Sequence, residues 1–166
     1  MLRSFGFLQA VAGNTREKQR AMHAAQSAQS YAEWWLTQSH GQNATSGRTC
    51  AGGLDSNLAN IAICDAVLQN PTALPWRSGF YYFPPGLSTG NPGAPGNYAS
   101  APLFYIAYLG TTYNSSIGIQ TNSYRLDALG YAGTTSSTAV TESTYNVSTA
   151  YTSQNSLQKF VDLGGP

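Results

Sequence analysis

Charged side chains are scarce in this chain of 166 residues. They make up 9% of it, whereas about 25% is usual for globular domains. The net charge is +1, so no overall field attracts nucleic acid or an anionic membrane. The polar surface must therefore come from Ser, Thr, Asn, Gln and Gly. This composition, together with 11 Tyr, is more typical of secreted or surface proteins than of cytosolic enzymes.

Long apolar runs are absent as well. No stretch of the printed sequence holds 18 or more consecutive apolar residues, which is the length that indicates a transmembrane helix. The sequence also lacks the succession of basic, apolar and small residues that marks a secretory signal. If the protein works outside the cytoplasm, we expect its export segment to lie outside this sequence.

Cysteine occurs only twice, at Cys50 and Cys64. An even pair in a polar chain with few charges predicts one disulfide in an oxidising compartment. The alternative is a pair of buried free thiols. A zinc site needs more ligands than these two cysteines and two distant histidines supply, so no metal or cofactor is expected.

Catalytic motifs are missing from the sequence. It contains no G-x-S-x-G, phosphate-binding loop or dinucleotide fingerprint, and His23 and His40 are not near either cysteine. The basic segment of Arg16, Lys18 and Arg20 has no interleaved aromatic residues, which argues against a nucleic-acid groove. We therefore expect neither an enzyme nor a nucleic-acid-binding protein.

The clearest regular element is a helix over residues 2–38. Placed at 100° per residue, eight small and apolar residues between positions 21 and 36 share one arc of about 140°. This arc is predicted to pack on the rest of the domain. Its members are Ala21, Ala24, Ala25, Ala28, Tyr31, Ala32, Trp35 and Leu36. Trp34 lies on the opposite, polar side, where cover from a loop or contact with a partner is expected.

The remaining chain divides into three segments with different predicted structure. Residues 39–102 read as loops, with a short helix within "SNLANIAICDAVLQN" and a short strand at 80–83. The Pro- and Gly-rich segment 84–102 cannot be a regular element, and its Asn97 and Tyr98 are candidate partner contacts. Residues 103–147 alternate as strands do, and residues 148–166 are expected to be a tail.

These elements predict one α+β domain over residues 1–166. A long N-terminal amphipathic helix would pack on an antiparallel sheet whose strands are joined by short turns.

Four segments resemble PilX-like minor pilins of bacterial type IV pili. They are "AGNTREKQRAMHAAQSAQSYAEW", "LFYIAYLG", "SYRLDALGYAG" and "STAVTESTYNV", in that order along about half of the chain. At Gln26 and Ala107 the family often has acidic residues instead, and the segment after Val147 has no counterpart.

The resemblance implies a pilin fold and a non-covalent role. Such subunits prime filament assembly with other minor pilins and the major pilin, and lie near the tip with a large PilY-type adhesin. The first, apolar half of the helix would be missing ahead of Leu2, and the membrane would be contacted only through it. The resemblance further implies an inner-membrane subunit with its globular part in the periplasm, and later an extracellular pilus.

Two other classes remain open. A pseudopilin of type II secretion shares the same architecture but enters a short periplasmic filament. A carbohydrate-binding or other ligand-binding surface module would account for the many tyrosines and the polar composition.

Overall fold

The structure is a computed structural model. It describes the backbone of residues 2–40, 50, 52–91, 94–148 and 157–161, and the side chains of 13–38, 50, 52–91 and 94–148. The chain has an α+β fold, with one N-terminal helix and a mixed sheet.

The helix α1 spans Leu2–Trp35 and continues into a π-helical turn, Leu36–His40. Six residues of the predicted arc are buried and two, Tyr31 and Trp35, are half-buried. The buried ones are Ala21, Ala24, Ala25, Ala28, Ala32 and Leu36. Apolar residues repeating every three to four positions bring one side of a helix against its domain, which is why this arc faces the sheet.

Six strands form the sheet in sequence order. They are β1 (Leu54–Asp55), β2 (Gly79–Tyr81), β3 (Leu103–Asn114), β4 (Ile119–Tyr131), β5 (Thr138–Ser148) and β6 (Leu157–Val161). The pairs from β2 to β6 are antiparallel, but β1 runs parallel to β2. The sheet is therefore mixed, whereas the sequence predicted an antiparallel one, because the long segment 56–78 returns the chain in the same direction.

Two sequence-based predictions of local structure were wrong. The helix predicted within 56–70 is only a 3₁₀ turn, Leu58–Asn60, and Ile61 to Cys64 follow it as a buried irregular segment. Cys64 is held extended because its N–H donates to the carbonyl of Ile106 and its carbonyl accepts from Tyr108 N–H, both at 2.8 Å. The predicted tail contains strand β6, which pairs with β5.

The sheet has an apolar cluster on each face. On the helix side, Phe104, Ile106, Leu126 and Tyr145 pack with the buried alanines of α1. On the opposite face a second set packs under the segment that follows Cys64. It comprises Cys64, Trp76, Leu103, Tyr105, Ala107, Leu129 and Val140. Both faces of the central strands are therefore covered, so these strands are apolar on both sides near Leu103 and Leu129.

The helix and the sheet come closest at Gly130 on β4. A Cβ atom on Gly130 would lie 2.0 Å from the carbonyl oxygen of Ala21 and 2.4 Å from the nitrogen of Ala25. Only a residue without a side chain leaves room for the helix backbone here. The small residues of α1 thus match a small residue on the strand below them.

Candidate functional site

The disulfide fixes the chain to the outer edge of β3. Cys50 and Cys64 are bonded, with their Cα atoms 5.4 Å apart, which confirms the predicted pairing. Cys64 also forms an isolated parallel bridge with Ala107 of β3. The bond therefore stabilises a segment that pairs with β3 alongside β2, and a closed loop of this size contributes about 3 kcal/mol on the chain-entropy estimate.

Arg20 joins α1 to the Pro- and Gly-rich loop. Its Nη2 donates to the carbonyl of Asn97 at 2.6 Å, and its guanidinium carbon lies 4.6 Å from the ring centre of Tyr98. Arg20 also donates to Glu17 at 2.8 Å, and this bond is the main cause of its raised pKa. Two residues predicted as partner contacts, Asn97 and Tyr98, therefore contact the chain's own helix.

Glu17 completes this junction from the helix side. Its Oε2 accepts a hydrogen bond of 2.7 Å from the N–H of Gly133, in the connection from β4 to β5. Burial raises the pKa of Glu17, but the bonds from Gly133 and Arg20 outweigh it and leave the pKa below its ordinary value. The carboxylate thus ties the helix to the end of the sheet.

Three aromatic rings, those of Tyr31, Trp34 and Tyr82, lie further along the side of α1 that carries Arg20. Tyr31 stacks on Tyr82 with ring centres 4.5 Å apart, and its ring is 5.5 Å from that of Trp34. Trp34 is 53% exposed, so the tryptophan predicted on the polar side does face solvent. At 100° per residue, positions 20, 31 and 34 fall within about 60° of one another. We call Arg20, Tyr31, Trp34, Tyr82 and Tyr98 the helix flank.

The three predicted partner contacts lie along the helix flank: Trp34 and Tyr98 belong to it, and Asn97 is bonded to Arg20. Tyr98 and Asn97 lie at Arg20, and Trp34 lies about 21 Å further along the helix, since each residue rises 1.5 Å. The loop is held along the helix flank by backbone bonds as well. The N–H of Ala99 donates to Ala132 at 2.7 Å, and that of Tyr82 donates to Pro102 at 2.9 Å.

A charged cluster occupies the face of the sheet opposite the helix. Arg125 bonds both Asp127, at 3.1 Å, and Glu142, at 2.9 Å. Asp127 is fully buried, and its Oδ2 has no hydrogen-bond partner among the described residues. Burial raises the pKa of Asp127 to about 6 although Arg125 lowers it. An ionised Asp127 therefore destabilises the fold near neutral pH.

Buried polar groups also line the contact between α1 and β5. Gln29 is 2% exposed and donates to Glu33 at 2.9 Å, but its Oε1 has no partner among the described residues. The hydroxyls of Ser143 and Tyr145 are also buried and have no hydrogen-bond partner among the described residues. The helical wheel placed no polar residue in the buried arc, although position 29 lies only about 40° from Ala25.

The hairpin of β3 and β4 extends beyond its neighbour. Within the described residues, β5 pairs with β4 as far as Thr121, and β3 and β4 continue together to Asn114 and Ile119. Tyr113 and Ile117 near its turn are exposed. No sequence signal singled this hairpin out.

No protein-family model, curated protein sequence or solved structure matches the chain. No helix within the described residues is long and apolar enough to cross a membrane. His23 is exposed, whereas the side chain of His40 lies outside the described part.

Proposed function

We propose that the chain is a minor pilin subunit that primes assembly of a type IV pilus and lies near its tip or caps it. The subunit would act by non-covalent packing with the major pilin and other minor pilins. A large PilY-type adhesin would be a partner at the tip. In this proposal, the α+β fold is that of a pilin.

The length of α1 relative to its contacts carries the proposal. The helix begins at Leu2, and Glu17 contacts the connection from β4 to β5. Residues 2–16 of a continuous helix span about 22 Å, and residues 13–16 are exposed. A long helix with an exposed stretch at residues 13–16 is suited to packing against helices of neighbouring subunits.

The sequence of that segment supports the same role. Leu2, Phe5, Leu8 and Val11 place an apolar residue at every third position of this segment. In the proposed assembly this segment would be continuous with an apolar segment ahead of Leu2, which would hold the subunit in the inner membrane before assembly.

Gene deletion tests the proposal and separates it from the pseudopilin alternative. We expect the deletion mutant of the bacterium that encodes the chain to yield less major pilin in sheared surface filaments. The complemented strain should restore it, and an antibody to the chain should label filament ends. Intact pili with loss of secreted enzymes would select the pseudopilin role. Intact pili and intact secretion would overturn both.

A second experiment concerns the membrane segment. The full gene would be expressed with and without a prepilin peptidase, and the mass of the membrane-bound product compared. Loss of a short leader that depends on the peptidase is the expected result, and an unchanged mass would contradict the proposal.

A further inference from the structure

An open cavity of about 350 Å³ lies beside the disulfide at the β1–β2 edge of the sheet. Asp55 and Asn60 line it with polar groups, and Ala62 and Phe80 line it with apolar ones. Nothing in the assembly role described above uses this cavity. Its volume is within the range of small-molecule sites, in which a few convergent polar groups sit on an apolar wall.

The two polar side chains hold each other in place. Oδ2 of Asp55 accepts a hydrogen bond of 2.8 Å from Nδ2 of Asn60, and Oδ1 accepts one of 2.8 Å from the N–H of Asn57. These bonds lower the pKa of Asp55, so the group is ionised at neutral pH. Each carboxylate oxygen has two acceptor directions and the amide has two N–H donors, which leaves capacity for a ligand.

The surrounding backbone is fixed from three sides. Cys50 is bonded to Cys64, which is itself hydrogen-bonded to β3. Gly79 lies so close to β3 that a Cβ atom would be 3.0 Å from the carbonyl oxygen of Phe104. Phe80 is buried in the helix-side cluster. Binding here would therefore order few new groups, and this lowers the entropic cost of binding.

We propose that this cavity binds a neutral sugar unit through Asp55 and Asn60. A sugar hydroxyl donates to the carboxylate and accepts from the amide N–H, so it satisfies both groups at once. The volume suits a single ring.

Cationic ligands fit the same groups less well. A calcium ion takes six to eight oxygen ligands, and among the described lining residues only Asp55 and Asn60 bring side-chain oxygens. An ammonium group donates but cannot accept, so it would leave the free N–H of Asn60 without an acceptor. These ligands are alternatives that the experiment distinguishes.

Titration followed by NMR tests the proposal on the whole chain as printed. The probes are the methyl glycosides of glucose, galactose, mannose and N-acetylglucosamine, with calcium chloride and methylammonium as separate arms. We expect at least one glycoside to shift the amide signals of Asp55, Asn60 and Phe80 in a saturable manner. No such shift by any glycoside, or saturable shifts by calcium or methylammonium alone, would overturn the proposal.

A cavity-filling variant controls for misfolding. A Cβ atom on Gly52 meets nothing within 4 Å, so Gly52→Leu should fold and place its side chain in the cavity. We expect it to weaken glycoside binding at least tenfold, and Asp55→Asn to weaken it similarly. Gly13→Leu, which also meets nothing within 4 Å, should leave binding unchanged. Binding that survives Gly52→Leu would contradict this site.

Discussion

Gly130 on β4 and Ala21 on α1 are in direct backbone contact: a Cβ atom on the glycine would lie 2.0 Å from the alanine's carbonyl oxygen. Because the obstructing atoms belong to the helix backbone, no side-chain rotation relieves the overlap. The alanine-rich part of α1 and this glycine therefore set the distance between helix and sheet. Further along the helix, the larger side chains of Tyr31 and Leu36 pack in the helix-side cluster.

Gly130→Ala should destabilise the domain by about 3 kcal/mol, the upper range for overpacking a core. The helix must move away from β4, and contacts along the whole alanine arc weaken. Urea unfolding followed by circular dichroism measures the change. Gly13→Ala is the matched control, since a Cβ atom there meets nothing and alanine favours helix by up to about 1 kcal/mol. Equal midpoints for the two variants would contradict the close approach.

The buried Asp127 predicts an unusual pH dependence. Its pKa is raised from 3.8 to about 6 by burial, so the folded protein binds a proton more tightly than the unfolded chain does. The free energy of unfolding should therefore increase as pH falls from 7 to 4, by about 2 kcal/mol from this group. The charged and titratable groups around it are Arg125, Glu142 and Tyr105.

Asp127→Asn isolates this contribution, because the amide keeps the shape and removes the charge. We expect the variant to be more stable than the parent at pH 7.5 and of similar stability at pH 4. The control is Asp65→Asn, which removes an exposed carboxylate and leaves Asp127 in place. Parallel stability curves for the parent and Asp127→Asn between pH 4 and 7.5 would show that the buried carboxyl does not titrate in this range.

The alanine arc could be predicted from sequence because helical periodicity is local. Gly130 could not, since its role depends on a contact with residues more than 100 positions away. Asp127 lies in a strand whose residues alternate between the two faces of the sheet. The neighbouring residues in the sequence do not show which part of the face opposite the helix is covered by other segments and which part is exposed. β1 is two residues long, too short for alternation to be visible. The cavity combines residues from 50 to 80, so no single motif marks it.

Arg20→Ala should loosen the Pro- and Gly-rich loop while the sheet remains intact. The variant loses the bond to Asn97 and the contact with the Tyr98 ring, for a cost of about 1 kcal/mol. Hydrogen exchange should become faster at the amides of Tyr98 and Ala99 and stay unchanged within β4. Arg16→Ala is the control because Arg16 is exposed. Unchanged exchange in the Arg20 variant would mean that the backbone bonds alone hold the loop.

Removing the disulfide should most strongly destabilise the segment at Cys64 that pairs with β3. We expect the double variant Cys50→Ala with Cys64→Ala to lose about 3 kcal/mol, since its loop spans 14 residues. Thermal unfolding measures the overall loss of stability. Hydrogen exchange at the amides of positions 64 and 108, compared between the parent and the variant, shows where stability is lost. A variant with the parent's melting temperature would indicate that the bond adds little to a segment already paired with β3.

The two sides of α1 near its end predict opposite results for two substitutions. Leu36 is fully buried in the helix-side cluster, so Leu36→Ala should cost about 2–5 kcal/mol. Trp34 is mostly exposed and touches Tyr31, so Trp34→Ala should change stability by less than about 1 kcal/mol.

In the deletion strain, Trp34→Ala should nevertheless lower filament yield if the helix flank meets a neighbouring subunit. Tyr113→Ala, at 67% exposure on the distant hairpin, provides the matched control. Equal filament yields for these two variants would remove Trp34 from the proposed contact surface.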